Sequence, residues 1–211
     1  MFSELPIDSA IPELLAALAA SPSAVLEAPP GAGKTTRVPL ALLGASWLGN
    51  QRIVMLEPRR LAARAAARRM AATLGEDVGE RVGYRVRGDS RVSSATRIEV
   101  VTEGVLTRMI QRDSALEGIG VVIFDEFHER SIHADVGLAL TLATRELLRP
   151  DLRILVMSAT LDGGAVAGLF GGAPVVTSAG RAFPVETRYR PVPAGMGTVP
   201  HIARVVRDAL L

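Results

Sequence analysis

Five short runs recur along this chain: "AVLEA" (24–28), "IVMLE" (53–57), "IEVVT" (98–102), "VVIFD" (121–125) and "ILVMS" (154–158). Each is rich in Val, Ile or Leu and puts apolar residues on both alternating faces. As strands they need cover on both sides. Residues 33–43, 59–74, 104–112, 133–148 and 162–170 between them have the length and period of helices. Such an order predicts an α/β fold, a mostly parallel sheet with helices on both faces. "PVVTSAG" and "VETRYRPV" read as later strands, and the alternating "RVGYRVR" (81–87) as an edge strand or hairpin. The Pro/Gly-rich "RPVPAGMGTVP" (190–200) reads as a linker. The expected division is therefore a domain of residues 1–190 and a tail of 191–211, in which "HIARVVRDALL" has a helical period.

One basic residue stands apart from the rest. Of 24 basic residues only Lys34 is a lysine, and it sits in "EAPPGAGKTTR" (27–37). That stretch follows a strand, turns on glycines and opens a helix. Its backbone N–H groups and helix N-terminus form a cradle for phosphate. Gly31 and Gly33 allow close backbone approach. Lys34 reaches the β- and γ-phosphates with a compact ammonium where a planar guanidinium would not enter. The pattern is that of a P-loop, with Ala28 where its first glycine usually stands. Pro30, Gly31, Ala32, Gly33, Lys34, Thr35 and Thr36 are the candidate residues for binding ATP or ADP, with the Thr35 hydroxyl on Mg²⁺.

The expected counterpart lies in "VVIFDEFHERS" (121–131). Asp125 ends a buried strand at the same sheet edge, where a carboxylate holds Mg²⁺ through water. Glu126 is placed to orient or deprotonate the attacking water. Asp125, Glu126 and Lys34 are the candidate catalytic residues, and Thr35, Asp125 and Glu126 the candidate metal-site residues. His128, two residues past Glu126, does not form a zinc pattern. His133 reads as local capping or surface, and His201 as surface.

"DEFH" is similar to the DEAH box, and "DEFHERS" extends the match. "MSAT" (157–160), "EPRRLAARAAARRMA" (57–71), "VTEGVLTRMI" (101–110) and "VGYRVR" (82–87) follow suit. Together they resemble the first RecA-like domain of a DEAH/RHA helicase of superfamily 2. "APPGAGKTT" and the Phe of "DEFHERS" point toward the bacterial HrpB-type branch. The resemblance implies that His128, Ser158 and Thr160 couple nucleotide state to strand movement, and that Arg69 stacks on adenine. It also implies that Arg59, Arg60, Thr102, Glu103 and Gly104 lie at an RNA backbone. Such contacts read no base edge, so little sequence preference is expected.

Charge agrees with a polyanion. Residues 52–112 hold thirteen Arg against seven Asp plus Glu, a local +6 in a chain of net charge +2. Aromatic residues are only 4%, which argues against a stacking platform. Helicases of this kind carry arginine fingers in a second RecA-like domain, in a Q-R-x-G-R-x-G-R-like run that this sequence lacks. The expectation is a partner domain in cis, and slow hydrolysis by these residues alone. An alternative is a P-loop ATPase or kinase of another class not acting on nucleic acid. Against those stand the absence of an "LSGGQ" loop and of an Arg-rich lid. The chain has no cysteine, which excludes disulfides and thiolate metal sites and fits a reducing compartment. Glu4, Asp8 and Glu13 interrupt the apolar N-terminal run, which reads as an amphipathic helix rather than a signal peptide. No apolar run approaches membrane-spanning length. The expected location is cytoplasmic, with no membrane contact.

Overall fold

Alternation along each strand builds two separate cores. The structure, a computed structural model, describes residues 4–159, 163–179 and 186–210. The strands are β1 (Ser23–Glu27), β2 (Arg52–Leu56), β3 (Val82–Val86), β4 (Asp89–Arg91), β5 (Ile98–Val101), β6 (Ile119–Phe124), β7 (Arg153–Ser158) and β8 (Val175–Thr177). The helices are α1 (Ile11–Ala20), α2 (Lys34–Leu42), α3 (Arg60–Leu74), α4 (Glu103–Arg112), α5 (Ile132–Leu147), α6 (Gly163–Leu169) and α7 (Thr198–Leu210). Ile53, Met55, Val121 and Ile123 pack into one core with Leu14, Val38 and Met70 of α1–α3. Their neighbours Val54, Leu56, Val122 and Phe124 enter the other core with Leu106, Ile110 and Leu138 of α4 and α5. Every residue of β1 and β6 is buried, as a sheet covered on both faces requires.

The strand order is β4-β3-β5-β2-β6-β7-β1-β8. All described pairings are parallel except β3 with β4, a hairpin at the sheet edge. Of the two readings the sequence allowed for "RVGYRVR", the hairpin holds and the edge strand does not, because β4 lies outside β3. β3 pairs in parallel with β5 on one side and turns back through Gly88 (φ +80°) on the other. "PVVTSAG" supplies β8, beside β1. "VETRYRPV" is a correction: residues 186–192 form no strand and are exposed. Its alternating charges have no described strand edge beside them, and Pro191 lacks the N–H a ladder needs.

Local chemistry ends the helices. α3 stops at Gly75, φ +72°, whose N–H bonds to Ala72 O while Glu76 N–H reaches Ala71 O. α5 starts at Ser131, whose Oγ accepts from His133 N–H (3.1 Å) and Ala134 N–H (3.4 Å). His133 is accordingly an exposed residue of a capped first turn.

The chain divides into two units, Met1–Arg181 and Ala182–Leu211. The first contains the sheet. In the second, α7 carries Val199, Ile202, Val206 and Leu210 exposed. His201 is not a surface residue as the sequence suggested. It is buried, and its Nε2 lies 3.0 Å from Arg190 O as donor. Among the described residues no helix is long and apolar enough to cross a membrane.

Because the strands are parallel, the loops after β1, β2, β5, β6 and β7 all leave the same rim of the sheet. That rim is where open α/β sheets bind ligands.

Candidate nucleotide-binding and catalytic site

The loop after β1 is shaped by its glycines. Gly31 has φ +78° and Gly33 φ +97°, conformations that L side chains rarely adopt. A Cβ on Gly31 would meet nothing within 4 Å, so its backbone angle and not crowding calls for glycine. A Cβ on Gly33 would lie 2.6 Å from Leu5 Cδ1, because the N-terminal segment packs on this turn through Ile7 N–H to Ala32 O at 3.1 Å. Ala32 is buried and its N–H bonds to Pro29 O, while Pro30 and Gly31 are exposed at the tip. Gly33 caps α2, with Arg37 N–H on its carbonyl at 2.9 Å.

Lys34 and Thr35 project from the first turn of α2 toward the loop after β6. Lys34 Nζ contacts Glu126 Oε1 at 2.8 Å, and Lys34 is only 4% exposed. Thr35 Oγ1 donates to Asp125 Oδ2 at 2.6 Å. Asp125 Oδ1 accepts the N–H of Glu126 at 2.8 Å. The chain turns sharply here, with Glu126 at φ +51° and Arg130 at φ +50°. These left-handed residues aim adjacent side chains different ways: Asp125 inward at 1% exposure, Glu126 toward a cleft. Burial, with Glu126 nearby, raises the Asp125 carboxyl to about 6 against the opposing pull of Thr35 and Lys34.

That cleft has a volume of about 500 Å³ and is lined by Thr35, Thr36, Glu126 and Arg69, among others. The sequence-assigned adenine residue therefore shares one cavity with Thr35 and Thr36 of the loop's helical end. Hard oxygen donors, the Thr35 hydroxyl and the Asp125 carboxylate, meet at its end. Among the described residues no three His, Asp or Glu are gathered to hold a metal unaided. Such a donor set suits Mg²⁺, which keeps most of its waters and takes one or two carboxylates with substrate phosphates.

His128 and the end of β7 are joined. Ala159 N–H donates to His128 Nδ1 at 3.2 Å. Glu126 Oε2 is 3.4 Å from the same Nδ1. Ser158, the last residue of β7, accepts Ala28 N–H on its carbonyl at 3.0 Å, which ties that strand end to the P-loop. Thr160 lies outside the described residues.

The residues assigned to RNA divide. Arg60 and Gly104 are exposed at the rim. Thr102 is buried at 9% exposure, and its N–H and carbonyl are bonded to Arg85 O and Val105 N–H. Its hydroxyl is therefore less open than the sequence suggested. Glu103 lines a small hollow with Glu126 and Arg130, and its Oε1 has no hydrogen-bond partner among the described residues. Arg59, also exposed, lines the cleft beside Glu126 and pairs with Glu129 Oε1 at 2.5 Å.

Two residues of this site carried no assignment from the sequence. Glu129 bridges the DEFH turn to Arg59. Glu57, quoted for the arginines that follow it, ends β2 and lines the cleft at 3% exposure. Its place after a buried strand on the Asp125 rim was the available signal. Burial and the Asp125 charge push the Glu57 carboxyl up from 4.5 to about 7, opposed by the Arg59 N–H. Between those pH values the folded chain holds a proton that the unfolded chain releases. Stability is therefore lost as pH rises from 4.5 through about 7. Glu57→Gln should flatten that slope, with a gain at pH 8 of at most about 3 kcal/mol and none at pH 4. Thermal melts at both pH values without Mg²⁺ check this.

A P-loop facing an Asp-Glu pair across a parallel sheet defines a nucleoside-triphosphate-binding domain of RecA-like fold. A family model, "DEAD/DEAH box helicase", matches residues 8–167, and the chain belongs to that family. It is 56% identical over 192 residues to "ATP-dependent RNA helicase HrpB" of Escherichia coli (strain K12), covering 91% of this chain and 24% of that protein. It is 39% identical over 193 residues to "ATP-dependent RNA helicase DHX33" of Homo sapiens, covering 90% of this chain and 27% of that one. The crystal structure of the E. coli DEAH/RHA helicase HrpB superposes with a TM-score of 0.88 at 52% identity, covering 98% of this chain and 26% of the other. The chain thus spans about a quarter of the length of HrpB and DHX33.

Proposed function

We propose that this chain is the ATP-binding half of an ATP-dependent RNA helicase. In the full-length protein, ATP hydrolysis would drive RNA unwinding or translocation. The observation that carries the reading is the pairing of Lys34 with Glu126 (2.8 Å) and Thr35 with Asp125 (2.6 Å) across one rim. Four side chains that handle phosphate, metal and water are thereby within reach of one triphosphate tail.

The N–H groups of the turn from Pro30 to Thr36 hold the phosphates, and Lys34 exchanges Glu126 for β- and γ-oxygens. Thr35, Asp125 and the neighbouring Glu126 would hold Mg²⁺, which would supply charge neutralisation at the phosphates. Glu126, released from Lys34, accepts the proton of the attacking water. Arg69 packs against the base. His128, bonded to Ala159 N–H, passes the state of Glu126 to the Ser158 strand end and on to Thr160. Arg59, Arg60, Thr102, Glu103 and Gly104 meet the RNA backbone at the rim. Thr102, whose backbone groups are already bonded within the fold, serves there mainly by holding the turn that presents Gly104. A second RecA-like domain in cis supplies the arginine fingers, worth about 10³–10⁵ in rate.

The test compares ATP turnover, with and without single-stranded RNA, for the 211 residues alone and joined to a second RecA-like domain. The joined protein should respond to RNA. The shorter chain should bind nucleotide and turn over at least about 10³-fold more slowly. Turnover in the joined protein that ignores RNA but follows a small phosphoryl acceptor would favour a kinase instead.

A further inference from the structure

Glu57 is a buried carboxyl for which the site described above has no use. We infer that it is a positioning residue for Mg²⁺, accepting a hydrogen bond from a water of the ion's shell beside Asp125. This rests on the ATP-binding reading above.

Its place follows from strand register. Leu56 of β2 lies opposite Phe124 of β6, and Asp125 N–H donates to Leu56 O at 3.0 Å. Glu57 and Asp125 come next, so they leave neighbouring strands side by side, about 5 Å apart. Alternation sets their direction. Leu56 and Phe124 enter the core with α4 and α5, so the two carboxyls lean to the opposite face, which α2 and α3 cover. Thr35 reaches Asp125 from α2 on that face. Glu57 lines the cleft there with Thr35 and Glu126.

The carboxyl has no cation of its own. Its one hydrogen bond among the described residues is a long one, from Arg59 N–H at 3.5 Å. Lys34 is engaged with Glu126, and the Arg59 guanidinium with Glu129. Arg69 lies farther along α3 and forms no ion pair with Glu57 among the described residues. Yet Glu57 is only 3% exposed. A buried carboxyl without a partner costs stability. Beside a bound triphosphate it would also add repulsion. A cation that enters together with the nucleotide offsets both. Mg²⁺ is such a cation. Held by one or two carboxylates and by phosphates, it keeps several waters, and each of them can donate a hydrogen bond. Carboxylates outside the ligand shell that accept from it hold the ligands in orientation. Glu57, one strand over from Asp125, stands where such an acceptor is needed.

The test titrates Mg²⁺ into wild-type and Glu57→Gln protein with fluorescent ATP. ATP binding in EDTA and melts at pH 8 without Mg²⁺ accompany it. The Mg²⁺ concentration that half-saturates the tightening of ATP should rise about 10–100-fold in the variant. In EDTA the variant should bind ATP at least as tightly as wild type, because a neutral amide repels the triphosphate less. Its melting temperature should not fall, because the amide replaces a buried acid that has no cation. A group that only supported the fold would instead lower the melting temperature and both affinities together. An unchanged Mg²⁺ dependence overturns the assignment. So does a parallel loss of affinity with and without Mg²⁺, and so does a variant that melts below wild type. Wild-type protein that binds no ATP at any Mg²⁺ concentration would remove the ATP-binding reading itself.

Discussion

Replacing Glu126 by Gln should give a protein that hydrolyses ATP about 10²–10⁴-fold more slowly yet binds it more tightly. The two effects have one origin. Lys34 Nζ sits 2.8 Å from Glu126 Oε1, and the triphosphate competes for the same ammonium. Glutamine is neutral, so its hold on Lys34 is weaker and the ammonium is more available to phosphate. On the proposed mechanism the same change also removes the carboxylate that accepts the proton of the attacking water. Asp125 cannot take over that task. It is buried, its Oδ1 is committed to Glu126 N–H, and its Oδ2 receives the Thr35 hydroxyl. The fold should survive, because Glu126 is partly exposed and glutamine is nearly isosteric. Single-turnover hydrolysis and a fluorescent-nucleotide titration, run on matched wild-type and variant proteins, separate rate from affinity. Hydrolysis at the wild-type rate would remove Glu126 from the chemistry. A parallel loss of affinity would show that it serves binding instead.

Much of this site was legible because parallel sheets turn sequence order into spatial order. Apolar runs ending in "LEA" and "IFD" must end on one rim, so Lys34 and Asp125, 91 positions apart, face the same crevice. The 3.6-residue period placed the helices, and Gly31 and Gly33 marked a turn that other residues cannot make. What stayed hidden depends on burial and on which polar group wins a given partner. Thr102 reads as an exposed hydroxyl in "TEG", but the rim closes over it. Arg59 and Arg60 look alike in sequence and both are exposed, yet only Arg59 lines the cleft beside Glu126 and pairs with Glu129. Glu57 reads as a polar residue at a strand end. Only the fold shows it buried near Asp125, where desolvation and then the Asp125 charge discourage its ionisation. "VETRYRPV" has a strand's alternation but no described neighbour to pair with, and periodicity alone cannot report a missing neighbour.

Lys34 carries the central claim. It is the chain's single lysine, and the first turn of α2 holds it buried with its ammonium against Glu126. Lys34→Ala removes a buried ammonium from the ring of N–H groups that would receive the phosphates. It also strips Glu126 of its 2.8 Å partner, leaving a carboxylate that repels the triphosphate. Both changes act against binding. Truncating one member of a buried charge pair costs about 2–5 kcal/mol, so affinity for ATP should fall about 30-fold at the least. The fold should tolerate the change, since alanine is the best helix former at an early helix position. The direct measurement is an equilibrium titration of wild-type and Lys34→Ala protein with fluorescent ATP and Mg²⁺, alongside melting curves that confirm both are folded. A loss of 30-fold or more in the folded variant is the expected result. Equal affinity in the two proteins would contradict the account, because the triphosphate would then be held somewhere other than the loop from Pro30 to Thr36.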